Sequence, residues 1–591
     1  KALAQDALNL KKVIHFGDVE PPRASMPEEL GYAPFALAIG SPEDWKGAWP
    51  EVINVHIRHW AWNPLAQEYA MDDVVHLQDL YKYFGKPKSG DDDSVLACMV
   101  GAIRWRGFEI NIERVQKLRD QAIAKSQTNI NFNSIEICRR YLSQVLDATE
   151  IVVMHVGGKM TTKGIILEEI AKWKETKVCE SCQGKGCTEC DAGLVDSGSP
   201  HPAAVRAREI LDFRHACKEV ELYNKLLTAG KFHASFTVIG ALSSRMSGAD
   251  GLNAQGIRRA NDTRSCFNLA PDNMVLSGGD FSGFEICLMD AAFNDPILRA
   301  ILKQRRPCKY CEGKGCDECY KGTVDTKIHA VFGQYLFPPM TYDEILATKG
   351  LPDEGDKYTR SKNGVFALAY GVESYTLQNR VGVSEEAANE AYQKWCTDFK
   401  VWAQERKKVF DMFCSMRQPN GIGSKVEWHE PAEYVESLFG FKRYFTIENQ
   451  ICRTLYQLGE NPPKEWEHIK IKVMRRERLQ TAVGAVRSAL FGAAFQLQAA
   501  NMRAAGNHII QSTGAEITKA LQCRSWKIQP SGICSWRLMP FNAHDEIMCP
   551  IKEEHIQELD SIRNDFLDEM KETVPLIAIE WSNNLETWAD K

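Results

Sequence analysis

The chain has 591 residues with a formal net charge of −6, is 44% hydrophobic and 25% charged, and contains 19 cysteines. This length predicts several domains of ordinary globular composition, and the acidic total excludes a chain that binds polyanions through its overall charge alone. No stretch approaches the roughly 18 uninterrupted apolar residues of a membrane-spanning helix, so we expect no membrane association.

The predicted elements are mainly helical. Apolar residues three and four apart predict helices at residues 68–83, 129–146, 162–173 and 356–410. Short apolar runs predict strands at residues 274–279, 535–541 and 547–551, the last two as a hairpin. The first of these strands ends at Asp280 and precedes a helix from about Phe284, and a polar break at residues 90–94 marks a domain boundary.

The chain begins with KALAQDALNLKKV, which has the features of neither a signal peptide nor a methionine start. We therefore expect a fragment of a longer protein. Most of the cysteines are scattered, and without a secretion signal they favour a reducing compartment.

Two cysteine-rich segments are copies of one module, CESCQGKGCTECDAGLVD at 179–196 and CKYCEGKGCDECYKGTVD at 308–325. The spacing C-x2-C-x4-C-x2-C lets four thiolates close a tetrahedral shell around zinc, with no open position for a substrate. The predicted zinc ligands are Cys179, Cys182, Cys187 and Cys190 in one module and Cys308, Cys311, Cys316 and Cys319 in the other. The repeats also resemble those of DnaJ-type chaperones, in which different repeats share an ion, so ligand sharing between the modules is the alternative.

Two acidic positions follow or interrupt predicted strands. Asp280 lies at the end of a strand, and Asp545 lies in the turn of the predicted hairpin with Glu546 beside it. Two carboxylates on rigid strands are what a two-metal site for nucleotidyl transfer requires, although either residue alone could be a helix cap or a solvated turn.

Two helix faces between and around these carboxylates carry side chains suited to nucleotides. Lys362, Phe366 and Tyr370 are spaced four apart and share one face, which could equally be an ordinary amphipathic helix. A second helix face consists of Arg503, Asn507 and Gln511, again spaced four apart. Its side chains could donate hydrogen bonds to the minor-groove edge of a base pair, and the alternative is a polar stripe on the surface.

These motifs, in this order, resemble those of family A (Klenow-like) DNA polymerases, a group that includes many bacteriophage replicases. DFSGFE at 280–285, K-x3-F-x3-YG at 362–371 and HDE at 544–546 resemble the three signature motifs. Further segments are similar at 243–257, 434–444, 503–516 and 574–591. The resemblance covers about residues 95–591 apart from insertions, and the zinc insertions suit a phage member.

The resemblance implies an α+β fold, mainly helical with an antiparallel palm sheet, arranged as a right hand of thumb, palm and fingers. The implied domains are a 3′–5′ exonuclease remnant at 1–93, a thumb at 94–235 with a zinc module at 178–196, a first palm segment at 236–340 with a zinc module at 307–325, fingers at 341–495, and a second palm segment at 496–591.

Site roles also follow from the resemblance. The implied catalytic residues are Asp280, Asp545, Glu546 and Lys362, with two Mg²⁺ or Mn²⁺ ions on Asp280 and Asp545. The implied nucleotide-binding residues are Glu285, which excludes a 2′-hydroxyl, Phe366, which packs on the sugar, Tyr370, Arg360 and His544. The implied DNA contacts are Arg245, Asn253, Gln255, Arg503, Asn507 and Gln511.

The chain departs from the family pattern at two positions. Tyr358 stands where the family has an arginine four residues before the fingers lysine, and Arg360 or Lys357 would have to replace it. Gly283 stands where a glutamine is common.

The segment EYAMDD resembles the third motif of a proofreading exonuclease, Tyr-x3-Asp, at Tyr69 and Asp73. Asp18 and Glu20 have the Asp-x-Glu form of an earlier motif but lie in a loop-like setting, so we interpret them as a chance match. Exonuclease activity is therefore not expected of this chain, although a longer parent could have it.

The leading hypothesis is a monomeric DNA-directed DNA polymerase that uses primer–template DNA and dNTPs, with replisome proteins as candidate partners, in the cytoplasm of a bacterial host. A single-subunit RNA polymerase is the first alternative, and Glu285 with the HDE triplet argues against it. A catalytically silent DNA-binding scaffold is the second, and the intact set of Asp280, Lys362 and Asp545 argues against that.

Overall fold

The computed structural model divides the chain into two compact units, Lys1–Asp91 and Asp92–Lys591. It describes residues 71–72, 74–79 and 82, all helical, and residues 92–591 with gaps at 148–149, 157–158, 184, 186–193, 250–251, 259–260, 309–310, 312–313, 317–320, 352–354, 372–373, 422, 469–471, 476–477 and 530–534. The predictions for Tyr69, Asp73, Cys187, Cys190 and Cys319 lie outside the described residues.

The described helices of the second unit are α1 (Asp92–Arg106), α2 (Ile112–Ser126), α3 (Ile135–Ser143), α4 (Gly164–Ile170), α5 (Pro202–Ala229), α6 (Asn261–Arg264), α7 (Phe284–Phe293), α8 (Pro296–Lys303), α9 (Ile328–Leu336), α10 (Tyr342–Ala347), α11 (Lys357–Ala369), α12 (Ser374–Val381), α13 (Glu385–Asp398), α14 (Lys400–Met412), α15 (Thr446–Glu460), α16 (Ala482–Trp526) and α17 (Ile556–Met570). None of these described helices is long and apolar enough to cross a membrane.

The described strands are β1 (His155–Val156), β2 (Lys159–Met160), β3 (Lys174–Val178), β4 (Leu194–Pro200), β5 (Phe236–Thr237), β6 (Ser247–Gly248), β7 (Val275–Phe281), β8 (Arg305–Pro307), β9 (Thr323–Asp325), β10 (Met416–Arg417), β11 (Glu427–Trp428), β12 (Tyr434–Glu436), β13 (Lys442–Tyr444), β14 (Lys472–Arg475), β15 (Arg478–Thr481), β16 (Phe541–Ala543), β17 (Glu546–Ile551) and β18 (Ile579–Leu585). Most of them form two-stranded ribbons.

One four-stranded antiparallel sheet, in the order β16–β17–β7–β18, forms the centre of the second unit. The predicted strand at 274–279 is confirmed and runs on through Phe281. The predicted hairpin is also present, but its first strand is shorter than expected and begins at Phe541. Pro540 lies immediately before it and has no N–H to donate to a ladder, so pairing upstream is irregular.

Hydrophobic clusters cover both faces of this sheet. Ile547 belongs to a cluster with residues of α7, α9, α11, α13, α14, α16 and α17. Met548, the next residue, points to the opposite face and packs with α1, α2 and α5. The close approach of the strands requires glycine at 279, where a Cβ atom would lie 2.1 Å from the carbonyl oxygen of Glu580. The sheet is therefore packed on both faces, which makes it a rigid support for the residues at its strand ends.

Several predicted helices are shorter than their apolar spacing suggested. The prediction for residues 129–146 is wrong outside Ile135–Ser143, because the Ser134 hydroxyl accepts a hydrogen bond from the Ile137 amide and starts the helix there. Upstream, Asn131 accepts from the amide of Asn133 in a turn. Such side-chain bonds compete with helical backbone bonds. The segment 356–410 is helical as predicted, in the four helices α11 to α14.

Candidate active site

Three carboxylates lie side by side on the central sheet. Asp280 of β7 is directly opposite Glu546 of β17 on one side and Glu580 of β18 on the other. Opposed residues of antiparallel strands point to the same face, where like charges repel one another. Ser282 donates to the Glu580 carboxylate at 3.0 Å. This concentration of negative charge requires compensation by cations.

The turn between β16 and β17 presents Asp545. His544 and Asp545 are the two residues between the paired positions Ala543 and Glu546, and His544 has a left-handed φ of 68°. Both residues line a pocket, together with Arg245, Gln255, Phe284, Asn542, Thr518 and Lys519. The turn therefore places Asp545 directly before Glu546, which lies opposite Asp280, and a metal pair held by Asp280 and Asp545 stays a prediction.

The side chain of Glu546, the residue after Asp545, is only 1% exposed and forms an ion pair with Arg264. Arg264 Nη1 donates to both carboxylate oxygens, at 3.2 and 3.1 Å. The indole of Trp588 also donates to Glu546, and the Arg264 guanidinium lies 4.4 Å from the centre of that ring. These contacts favour a role for Glu546 in holding the β17 end in place.

The Lys591 ammonium lies among these carboxylates. Its Nζ atom is 2.9 Å from Asp280 Oδ2 and 4.0 Å from Glu546 Oε2. The Asp280 side chain is 30% exposed, so other groups can reach it. A cation thus already lies where the two carboxylates converge, which shows that the donor set accepts positive charge. Hard carboxylate oxygens of this kind fit Mg²⁺ or Mn²⁺.

The predicted face of α11 exists and adjoins α9. Lys362 Nζ lies 5.6 Å from the centre of the Phe366 ring. Phe366 also adjoins His329 of α9, whose ring centre is 5.5 Å away in an edge-to-face arrangement. Burial, with smaller contributions from Lys362 and Lys327, lowers the pKa of His329 to about 4. His329 is therefore a neutral imidazole at pH 7, adjacent to the lysine and the phenylalanine.

Tyr370, at the end of α11, joins three of the predicted site residues. Its hydroxyl donates to Glu285 Oε1 at 3.3 Å, and it is also hydrogen-bonded to Gln511 and close to Arg245. Burial, followed by the Glu285 charge, raises the pKa of Tyr370 to about 12, so the hydroxyl remains a donor at neutral pH. This contact ties α11 to α7, five residues after Asp280.

The basic residues proposed to replace the missing arginine of α11 make other contacts. Arg360 donates to the carbonyl oxygens of Val381 and Gly382, at 2.7 and 2.5 Å, and so connects the start of α11 to the end of α12. Tyr358 is buried, with its ring 5.9 Å from that of His329. The nucleotide-binding role of Arg360 stays a prediction, and its present contacts favour a structural one.

The predicted DNA-contacting residues lie on α16 and on both sides of β6. On α16, Arg503 is exposed while Asn507 and Gln511 are half-buried. Asn507 Oδ1 is buried and lacks a hydrogen-bond partner within the described part of the chain. After β6, Asn253 accepts from the amide of Gln255 at 2.9 Å and caps a short 3-10 helix, and Gln255 lines the pocket.

Four residues that shape this site are not predicted by the sequence motifs: Arg264, His329, Lys519 and Lys591. Lys519 is buried and donates to Asp93 and to Ser244, at 2.7 and 2.9 Å, which positions the residue before Arg245. The partners of these residues are distant in the sequence. Arg264 and Glu546, for example, are 282 residues apart. No spacing rule connects positions so far apart.

Comparison with known proteins gives the family and the similarity of the fold. No curated protein matches the sequence. The fold is similar to that of the POL domain of Pol1 from M. smegmatis in complex with DNA primer-template and dNTP, with a TM-score of 0.55, 18% identity, and coverage of 92% of this chain and 76% of that one. The family model described as DNA polymerase family A matches residues 193–589, more than half of the chain. This chain therefore belongs to DNA polymerase family A.

Proposed function

We propose that the chain is a template-directed DNA polymerase that adds deoxynucleotides to a primer 3′ end by a two-metal-ion mechanism. Family membership implies DNA-directed DNA polymerase activity. The observation that carries the proposal is the hydrogen bond between Tyr370 and Glu285, because it brings the α11 face beside the strand end that holds Asp280. In the proposed right hand, the central sheet is the palm, α2 and α5 belong to the thumb, and α10 to α14 belong to the fingers.

Each side chain has a distinct task in this mechanism. Asp280 and Asp545 would hold two Mg²⁺ ions, which supply charge stabilisation at the attacking and leaving oxygens. The Lys362 ammonium neutralises charge on the bound triphosphate, and Phe366 offers an apolar surface to the sugar. Since the ion pair with Arg264 fixes Glu546, the β17 end and the adjoining Asp545 are held rigidly before any substrate binds.

The proposal is tested by primer extension with the purified chain, a primed template, Mg²⁺, and dNTPs or rNTPs in parallel. Extension with dNTPs alone supports the proposal. Extension with rNTPs alone would instead favour the RNA polymerase alternative. Tight primer–template binding without any metal-dependent turnover would favour the silent scaffold.

We expect Glu285→Ala to relax sugar selection. The half-buried Glu285 carboxylate and the Tyr370 hydroxyl occupy the space beside α7, and removal of the carboxylate opens room for a 2′-hydroxyl. Discrimination by fit alone typically amounts to 10- to 200-fold, so ribonucleotide incorporation should rise on the order of 10- to 100-fold relative to deoxynucleotides. Single-turnover incorporation of each nucleotide measures this ratio.

The matched control is Glu572→Ala, which removes an exposed carboxylate after α17. It should leave the ratio unchanged. An unchanged ratio in the Glu285 variant as well would remove Glu285 from the sugar-selecting site.

Other features stay predictions. We infer from the resemblance and the cysteine insertions a bacteriophage-type replicase that works as a monomer in the cytoplasm of the host, with replisome proteins as candidate partners. The exonuclease remnant at residues 1–93 and its residues Tyr69 and Asp73 stay predictions from the motif alone.

A further inference from the structure

Each cysteine module lies between the two strands of an antiparallel β-ribbon, and the two ribbons have the same pairing register relative to their modules. In the first, Thr176, Lys177 and Val178 of β3 pair with Asp196, Val195 and Leu194 of β4. In the second, Arg305, Arg306 and Pro307 of β8 pair with Asp325, Val324 and Thr323 of β9. In both cases the first cysteine follows the last paired residue. The sequence repeat therefore corresponds to a structural repeat, in which the first cysteine directly follows a paired ribbon.

The backbone after the second cysteine also repeats. The amide of Lys185 donates to the Cys182 carbonyl at 3.0 Å, and the amide of Lys314 donates to the Cys311 carbonyl at 2.8 Å. In the second module the Gly315 amide also donates to the Cys311 sulfur at 3.1 Å. A backbone N–H directed at a sulfur stabilises its thiolate, which is the form that binds a metal.

The sulfur positions in the second module match a tetrahedral metal shell. Cys308 Sγ and Cys316 Sγ are 3.8 Å apart, and the sulfur of Cys311 lies within 4.8 Å of both. A disulfide would hold two sulfurs at about 2.05 Å. Four thiolates at about 2.3 Å from zinc lie about 3.8 Å from one another. The observed separation is therefore that of two ligands of one zinc ion.

This geometry also bears on ligand sharing. Cys308 and Cys316 come from the two different C-x2-C pairs of one module, and they already meet. If pairs from different modules shared an ion, the two pairs of one module would separate. Convergence of Cys308 and Cys311 with Cys316 of the other pair thus favours a local site.

We propose that each module binds one Zn²⁺ ion with its own cysteines and thereby closes its β-ribbon. In the second module the ligands are Cys308, Cys311 and Cys316, and the sequence spacing assigns the fourth position to Cys319. A two-stranded ribbon with only three residues in each strand is unstable by itself. The bound metal would therefore supply the stabilisation that a hydrophobic core otherwise provides. The inference is independent of the proposed polymerase function.

The second ribbon is also joined to the fold around α9. At its base, Arg306 stacks 3.8 Å from the centre of the Tyr342 ring, and the Tyr342 hydroxyl accepts from the Lys327 amide at 2.9 Å. Zinc removal should therefore loosen β8, β9 and the start of α9. Hydrogen exchange of these segments, before and after chelation, should show faster exchange there and no change in β7.

Metal analysis of the purified chain tests the proposal directly. We expect about two zinc ions per chain, and a cobalt-substituted sample should show the charge-transfer and ligand-field absorption of a tetrahedral four-thiolate site. Replacing all four cysteines of the second module, Cys308, Cys311, Cys316 and Cys319, with serine should leave one ion and the same type of cobalt spectrum. Loss of both ions in that variant would show that the modules share ligands.

Cys98→Ser is the matched control, because Cys98 is exposed on α1 outside both modules, and it should retain two ions. A second measurement uses the unmodified chain in case the serine variant does not fold. Titration with an organomercurial, with a chromogenic chelator present, should release two ions as the eight module thiols react. A purified chain that is folded and free of zinc, with no affinity for Co²⁺, would overturn the proposal.

Discussion

Asp545→Ala should abolish primer extension while primer–template binding remains within about twofold of the unmodified chain. Asp545 lies in a two-residue turn at the edge of a pocket, whereas the sheet beneath it is held by packing on both faces. Loss of this carboxylate removes one side of the proposed metal pair at little cost to the fold. Removal of a single electrostatic group from an active site typically lowers kcat by 10²–10³, and a metal ligand should exceed that.

The measurements are single-turnover nucleotide incorporation and fluorescence anisotropy with labelled primer–template. Asp568→Ala is the control, since its side chain is 75% exposed on α17, and it should be indistinguishable from the unmodified chain in both. If Asp545→Ala lost DNA binding in parallel with activity, Asp545 would have a role in holding DNA or the fold rather than the metals. Retained activity would exclude it from the metal site.

Arg264→Leu should lower the free energy of unfolding by about 3–5 kcal/mol, the usual cost of removing one partner of a buried ion pair. Arg264 and Glu546 side chains are 10% and 1% exposed, so the Glu546 carboxylate would be left buried without its main cation. The Lys591 ammonium, 4.0 Å away, is shared with Asp280 and compensates only in part. Urea denaturation, monitored by far-UV circular dichroism, measures the change.

A second substitution tests the cause. Arg264→Leu combined with Glu546→Gln should recover part of the lost stability, because the buried group is then uncharged. The matched control is Lys225→Ala, which breaks an exposed pair with Glu221 on α5 and should leave the unfolding midpoint unchanged. If Lys225→Ala lowered the free energy of unfolding as much as Arg264→Leu does, the ion-pair explanation would be contradicted.

Local pattern was enough to locate the main elements of this site. The strand before Asp280 and the helical spacing of Lys362, Phe366 and Tyr370 depend on interactions within a few residues, and all are present in the structure. Helix ends were predicted less well. Ser134 starts α3 through a side-chain hydrogen bond, and apolar spacing does not contain that information.

The sequence by itself determined the family motifs, the order of the elements that carry them, and the repeated cysteine spacing, because each is a pattern of neighbouring residues. Only the tertiary structure decided that Glu546 is paired with Arg264, that His329 adjoins Phe366, and that Cys308, Cys311 and Cys316 of the second module converge. Side chains far apart in the sequence meet through the packing of strands and helices. Their burial and pKa depend on that packing, which no local pattern encodes.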